Sequence, residues 1–205
     1  MSRRVVAAGL VGMSLTLATT GCGAGKKSDR LPKDMQRITD VHKYISIGVP
    51  KSWTPLDLST EQLDPALQRV GITDPGVKGA VQGLQHYGAL YALDPRATTS
   101  PSHVGTFVNA FCIASTMTST APLKEGAAGQ LQNIGAQNVQ VTDTTVDGHP
   151  AIRSSYGLKP PNGSADGRQV QALAKGRLCT ITFSTDQIGR YETVFNAMIP
   201  TIKLT

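Results

Sequence analysis

The sequence predicts an α+β domain, a central antiparallel sheet flanked by helices as an α/β/α sandwich. Two kinds of observation predict it. Strand-like runs in the C-terminal half are joined by hairpin signals at Asp147-Gly148 and around Lys175-Gly176, and hairpin connections demand antiparallel pairing. Segments of helical period stand before, between and after the strand runs, and their apolar stripes must cover sheet faces.

The folded part is expected to begin near Asp40. Tyr44-Ile45-Ser46-Ile47-Gly48-Val49 alternates apolar with small or polar residues, as a half-buried strand does, and Pro50 ends it. Trp53, the only tryptophan, follows at once and is expected to cap the core where this strand leaves the sheet. Two short helices come next. Leu58-Ser59-Thr60-Glu61 offers N-cap candidates for one, with Leu63, Leu67 and Val70 on a single face and Gly71 as its stop. Asp74-Pro75 opens the other, with Val77, Val81 and Leu84 as its stripe.

Ala89 to Leu93 reads as a strand and Asp94 to His103 as a loop. Thr106 to Ala114 reads as a longer strand, apolar on both parities, so both of its faces should be covered. Ala121 to Ile134 has helical period, with Leu123, Ala127, Leu131 and Ile134 facing inward and Gly135 suited to a left-handed stop. The hairpin across Asp147-Gly148 then joins Val139–Val146 to Ala151–Tyr156. A looser connection at Pro160-Pro161-Asn162-Gly163-Ser164 leads to the hairpin of Arg168–Ala174 and Arg177–Ser184. A last helix, Arg190 to Met198, directs Tyr191, Val194, Phe195 and Met198 inward; Pro200 stops it, and Ile202 and Leu204 form a short apolar tail.

Three stretches carry a resemblance: the Val49-Pro50-Lys51-Ser52-Trp53 edge, the Thr145-Val146-Asp147-Gly148-His149-Pro150-Ala151 hairpin and the late Phe195-Asn196-Ala197-Met198 helix. Together they resemble actinobacterial surface lipoproteins of the mycobacterial LpqN/LpqT type, whose domain is similar to the Mog1/PsbP fold. The resemblance implies a non-enzymatic exported domain with an antiparallel sheet between helices, and it carries no catalytic residues over.

The N-terminus supplies an address. Arg3 and Arg4 precede an uncharged apolar run from Val5 to Ala18, and Thr19-Thr20-Gly21 places small residues before Cys22. This is the anatomy of a secretory signal, and the apolar run is shorter than the roughly 20 residues a membrane span needs. The pattern resembles the bacterial lipobox, with Thr19 where an apolar residue usually stands and Leu17 two positions earlier. Residues 1–21 are read as a lipoprotein signal peptide, Cys22 as the lipidation site, 22–39 as a basic tether and 40–205 as the globular domain. An ordinary secreted protein cut nearby, with Cys22 incidental, is the alternative. Lys26, Lys27, Arg30, Lys33 and Arg37 give the tether a positive charge suited to anionic headgroups or simply to solvent.

Composition limits the rest. Of 205 residues 40% are hydrophobic, enough for a packed core, while aromatics are only 5%, so aliphatic side chains must do most of the packing. Loss of Arg3 and Arg4 from the 20 basic residues leaves 18 against 14 acidic ones, and no arginine-rich helix points to nucleic acid. Cys112 and Cys179 remain as an even pair in an oxidising compartment; a disulfide is one reading, two buried thiols the other. His42, His86, His103 and His149 have no second ligand at metal-site spacing, and neither a G-x-S-x-G nor an S-x-x-K motif is present. No catalytic residue, cofactor site or metal site is therefore assigned.

The functional expectation is a membrane-anchored, extracytoplasmic, non-enzymatic binding module. Its groove would lie between the sheet and the Ser59–Gln85 helices, for an envelope lipid, glycan or protein partner. A cell-envelope hydrolase is the alternative, and it needs a hydroxyl nucleophile near His86, His103 or His149. The address has a direct check: Cys22→Ala should move the protein from the membrane fraction to the soluble exported fraction, and an unchanged membrane fraction would reject lipidation.

Overall fold

The computed structural model describes residues 31–58, 63–69, 75–97, 105–159 and 163–205. The expected signal peptide, Cys22, the first part of the tether, the N-cap candidates Ser59-Thr60-Glu61, Val70, Gly71, Asp74, His103 and Pro160-Pro161-Asn162 lie outside the described residues.

Ten strands and four α-helices follow one another among those residues. The first part of the chain holds β1 (Met35–Thr39), β2 (Ile45–Pro50), β3 (Thr54–Leu56), α1 (Leu63–Arg69), α2 (Pro75–His86), β4 (Leu90–Leu93) and β5 (Phe107–Ala114). After it come α3 (Ala121–Asn133), β6 (Gln137–Val146), β7 (His149–Leu158), β8 (Ala165–Ala174), β9 (Arg177–Thr185), α4 (Ile188–Met198) and β10 (Lys203–Leu204). They form two sheets, a small one of order β1-β2-β10 and a large one of order β3-β4-β5-β9-β8-β7-β6. Every pairing is antiparallel. The hairpin reading holds at both turns, since Asp147, Gly148, Lys175 and Gly176 all take positive φ, as a two-residue turn matched to strand twist requires.

Each face of the large sheet is covered differently. One face packs on α4 and the small sheet: Ala110, Cys112, Ile181 and Phe183 meet Phe195 and Met198 from the helix and Ile45, Ile47 and Val49 from β2. Trp53 is buried in this core, with its ring edge against Tyr191 at 6.4 Å, as its position after the strand predicts. The opposite face carries α1, α2 and α3. Leu67 and Val81 bring α1 and α2 onto Tyr91 and Leu93. Leu123 and Ala127 bring α3 onto Ile152, Leu173 and Leu178, and Leu131 packs with Tyr156. The architecture is thus the expected α+β sandwich, with a small sheet sharing one layer with α4.

Several expectations are corrected. The domain begins at β1, before Asp40, and takes the end of the expected tether. Arg37 is tied into the fold, donating to Ser46 Oγ and to the Thr201 carbonyl, both at 3.0 Å. Read as tether charge, it concealed an edge strand. β3 was hidden by Pro55, which is tolerated because β3 is an edge strand where a missing N–H costs nothing. β10 is two residues long and has no period to detect; its Leu204 N–H donates to Asp147 Oδ2 at 3.0 Å. Ile134 is not on the inner stripe of α3 but 63% exposed. The helix ends at Asn133, Gly135 turns left-handed at φ 82°, and Ala136 is buried in its place. Finally, β5 is covered on both faces only in part, because Ile113 and Ala114 are exposed where the helical cover stops.

Cys112 and Cys179 form a disulfide. They are direct partners in the β5–β9 register and both are buried in the main core. The bond joins residues 67 positions apart, for which the chain-entropy relation gives about 4 kcal/mol of stabilisation. The Cys112→Ala/Cys179→Ala double variant should lose about that much unfolding free energy in a denaturant titration; an unchanged midpoint would show that the bond contributes nothing.

Candidate functional site

Among the described residues, a concavity lies where the two sheets diverge. The turn between α2 and β4 is held against the small sheet by Val41, whose N–H donates to the Gly88 carbonyl at 3.1 Å. Gly88 is required there: its φ is +62°, and a Cβ would meet His42 Nε2 at 2.8 Å. Below this contact the end of β1 and the β3–β4 edge stand apart and leave a pocket of about 310 Å³. Ile38, Thr39 and Val41 line it from the small sheet, and Ala89, Leu90 and Tyr91 from β4 and its approach. Pro55, Leu56, Asp57 and Leu58 close the third side, along the chain that leaves β3.

Seven of the ten lining residues are aliphatic, and the wall they expose is polar and apolar in comparable measure. Among the described residues that line it, Asp57 and Tyr91 alone can titrate. Burial pushes the Tyr91 phenol well above its ordinary range, so it stays neutral. Its ring stacks on Phe107 at 5.2 Å. Such a wall offers contact area and one rim of polar groups, which suits an apolar guest better than proton transfer. The volume is at the lower end of small-molecule sites, enough for a short acyl segment or a small ring system. None of its lining residues belongs to the Ser59–Gln85 segment, against which the sequence placed the groove. Among the described residues, Leu67, Val81, Tyr91 and Leu93 pack together beneath α1 and α2, and this pocket lies at the sheet edge.

A second polar cluster sits at the far end of β4. Asp94 is wholly buried. Arg96 donates to its Oδ1 from the backbone N–H at 2.9 Å and from Nε at 3.0 Å, and to Oδ2 from Nη2 at 2.8 Å. The Tyr191 hydroxyl donates to Oδ2 at 2.8 Å. Burial alone would raise this carboxyl; the hydrogen bonds from Arg96 and Tyr191 outweigh it and hold the carboxyl below the ordinary carboxylate range. With every partner internal, the cluster clamps β4 to α4.

The predicted chemistry-bearing residues do not converge. His42 is exposed and stacks on Tyr44 at 5.5 Å, and His86 is exposed at the end of α2 with its ring edge on Tyr87. His149 opens β7, half-buried. Among the described residues no hydroxyl is hydrogen-bonded to any of these three imidazoles, and no group of three or more His, Cys, Asp or Glu gathers as a metal site would require. Sequence reading missed the pocket because two of its walls, β1 and β3, carry no recognisable strand period.

No protein-family model matches the chain, and no curated protein matches it in sequence. Solved structures match in shape. Cyanobacterial PsbP (CyanoP) from Synechocystis sp. PCC 6803 superposes with a TM-score of 0.52 at 12% identity, over 91% of this chain and 99% of that one. LpqN of Mycobacterium tuberculosis, described as involved in cell envelope biogenesis, gives 0.48 at 13% identity over 83% and 91%. The Saccharomyces cerevisiae Ran-binding protein Mog1p gives 0.47 at 8% identity over 83% and 95%. The fold is PsbP-like, as the short sequence motifs implied.

The Asp94 clamp sets an acid limit on stability. A carboxyl held below its unfolded value contributes stability above about pH 4, and that contribution is lost as pH falls through the folded value. Asp94→Asn should therefore cost about 2 kcal/mol at pH 7, chiefly through the hydrogen bonds from Tyr191 and the Arg96 N–H, and should flatten the acid limb of stability below about pH 4. Solvent-exposed Arg96 adds little as an ion pair. Parallel pH curves for the two proteins would refute the assignment.

Proposed function

We propose that this protein is an exported, lipid-anchored binding module of the cell envelope that holds the apolar part of a small envelope molecule between its two sheets. The observation that carries the reading is the aliphatic pocket bounded by Ile38, Val41, Leu56, Leu58, Ala89 and Leu90. Three further features support it. The N-terminus has the anatomy of a lipoprotein signal ending at Cys22. The Cys112–Cys179 disulfide suits an oxidising compartment outside the cytoplasm. The pocket, moreover, opens on the strand that follows the tether, so a membrane-anchored domain would carry it within reach of lipid.

The mechanism is one of passive binding. Transfer of an acyl segment from water into the pocket is favourable by ~0.8 kcal/mol for each buried methylene, and a guest of four or five methylenes would overcome part of the cost of association. Thr39 and Asp57 at the pocket wall would orient any polar head outward. Neither the imidazoles nor Asp94 has a place in this reading, which needs no bond to be made or broken.

Thr39 is exposed on the edge strand β1 and lines the pocket, so Thr39→Trp should narrow it without disturbing the core. The neutral fluorophore N-phenyl-1-naphthylamine should bind the natural protein saturably and the variant about tenfold more weakly, a difference of ~1.4 kcal/mol, with circular dichroism unchanged. Linear, unsaturable uptake, or equal binding by both proteins, would reject the pocket as the site.

A further inference from the structure

One end of the molecule gathers loops from both sheets. The β1–β2 turn is there, and its Val41 N–H reaches the Gly88 carbonyl of the α2–β4 turn at 3.1 Å. The Arg177 guanidinium, at the start of β9, lies 3.7 Å from the centre of the Tyr44 ring. Register puts Arg177 opposite both Ala114, the last residue of β5, and Ala174, the last of β8. The Ser115 N–H donates to the Gly176 carbonyl at 2.9 Å, which folds the segment after β5 against the β8–β9 turn. Lys203 bonds Asp147 of the β6–β7 turn at 3.2 Å and completes the rim.

This end carries most of the large apolar side chains that the fold leaves out. Among the described residues five are exposed, and four of them are here: Val41, Tyr87, Ile113 and Met117, each between 41% and 49% exposed. The fifth, Ile134, follows α3 at the other end of the large sheet, where β6 begins. Single exposed apolar groups are ordinary on a protein surface, whereas a cluster marks a contact. Tyr87 stacks on Phe111 at 5.0 Å, and Phe111 and Ile113 stand on one face of β5, so the rings and the isoleucine adjoin.

Positive charge surrounds these side chains. Lys43 and Lys175 are exposed in their turns, both at positive φ, and neither makes an ion pair among the described residues. Arg177 rests on Tyr44 and has no carboxylate partner there either. The two carboxylates of the same loops are engaged. Asp40 is 3% exposed and accepts the Ile45 N–H, and Asp147 accepts from Lys203 and from the Leu204 N–H. With Lys203 counted, the loops hold four cations and two anions, and the exposed rings of His42 and His86 stand beside them. Apolar groups rimmed by unpaired cations complement an anionic bilayer surface: the cations meet phosphates, while Tyr87 and the aliphatic side chains enter the interfacial layer.

The chain before the domain allows this posture. Leu31 lies over Gly48, where an added Cβ would meet its Cδ2 at 2.7 Å. Gly48 is three residues from the start of β2, so Leu31 is ~10 Å from the loop end. The nine residues from Cys22 to Arg30 can span up to ~30 Å. We propose that this loop end docks on an anionic bilayer surface, with Lys43, Lys175 and Arg177 on the headgroups and Val41, Tyr87, Ile113 and Met117 below them. Val41 also lines the aliphatic pocket, so docking brings one pocket wall to the lipid. Docking rests on the membrane-bound address proposed above and not on what the pocket holds.

The test holds the full chain on vesicles and asks which way the domain faces. Thr116→Cys, beside Met117, and Ile134→Cys, at the other end, each carry a nitroxide whose access to oxygen and to a nickel chelate is read by electron paramagnetic resonance. On phosphatidylcholine vesicles containing about one-third phosphatidylglycerol, the label at position 116 should gain oxygen access and lose the chelate, while the label at 134 stays aqueous. On pure phosphatidylcholine, or in about 1 M salt, that shift should disappear. Lys43→Glu/Lys175→Glu should lower the ratio of docked to undocked domain at least tenfold, and Tyr87→Ser/Ile113→Ser several-fold. Circular dichroism should be unchanged in both, since all four side chains lie outside the core. Retention of the chain on anionic vesicles with an aqueous label at 116 would overturn docking alone; loss of the chain from both kinds of vesicle would overturn the address as well. Docking that is equal on phosphatidylcholine or unmoved by the charge reversal would also overturn the proposal. So would burial of the label in lipid-free detergent that rises with protein concentration, the mark of a second copy. Pocket binding is scored separately in lipid-free protein, so an empty pocket and an undocked domain are distinct results.

Discussion

The tilted ring contact of Phe195 with Phe183, with centroids 5.0 Å apart and both side chains wholly buried, is the contact on which the two layers of the main core depend. Phe183 stands in the middle strand of the large sheet and Phe195 in the middle of α4. Loss of such a ring from a sealed core costs ~3–5 kcal/mol, a large share of a domain's net stability. Tyr191 extends the stack toward Trp53, and its hydroxyl fastens the same helix to Asp94. The position of α4 is thus set by rings along its length and by one buried carboxylate at its start. The small sheet then closes over the remaining aliphatic surface through Ile45, Ile47 and Val49.

β9 is the strand common to all of this. It lies centrally between β5 and β8, presents Cys179, Ile181 and Phe183 to the main core and turns Thr180, Thr182 and Ser184 the other way. A strand with one dry face and one polar face is normally an outer surface. Here the polar face is flanked by helices and mostly buried, and Leu178 at the start of the same strand packs under α3. The pocket at the β3–β4 edge has a different origin. It arises because two sheets packed on a common core must splay apart where one of them ends.

Much of this was legible in the sequence, where local signals were strong. Asp147-Gly148 and Lys175-Gly176 named their hairpins because only a few residues accept positive φ in consecutive turn positions. The inner stripes Leu123-Ala127-Leu131 and Tyr191-Phe195-Met198 named their helices because burial follows the helical period. Missing were β1, β3 and β10, short edge elements held by long-range bonds such as Leu204 N–H to Asp147 Oδ2, which no local window contains. Ile134 was misplaced because a helix end is decided by the turn that follows. The pocket was illegible for the same reason, because it needs β1 and β3 to exist.

The small sheet has a mechanical corollary. β1 and β2 pair from Met35 opposite Pro50 to Thr39 opposite Ser46, with the closing turn at the far end. Tension applied through residues that precede β1 would reach the hairpin at its open end, where β2 hands the chain on to Trp53. Antiparallel hydrogen bonds run across the strands, so such a pull would part the ladder rung by rung, like a zip, and would not load all the rungs at once in shear. The first rung to give lies at Met35, and the last at the end of β1 that borders the pocket. A force from the N-terminal side would therefore reach the pocket wall only after the rest of its strand had yielded.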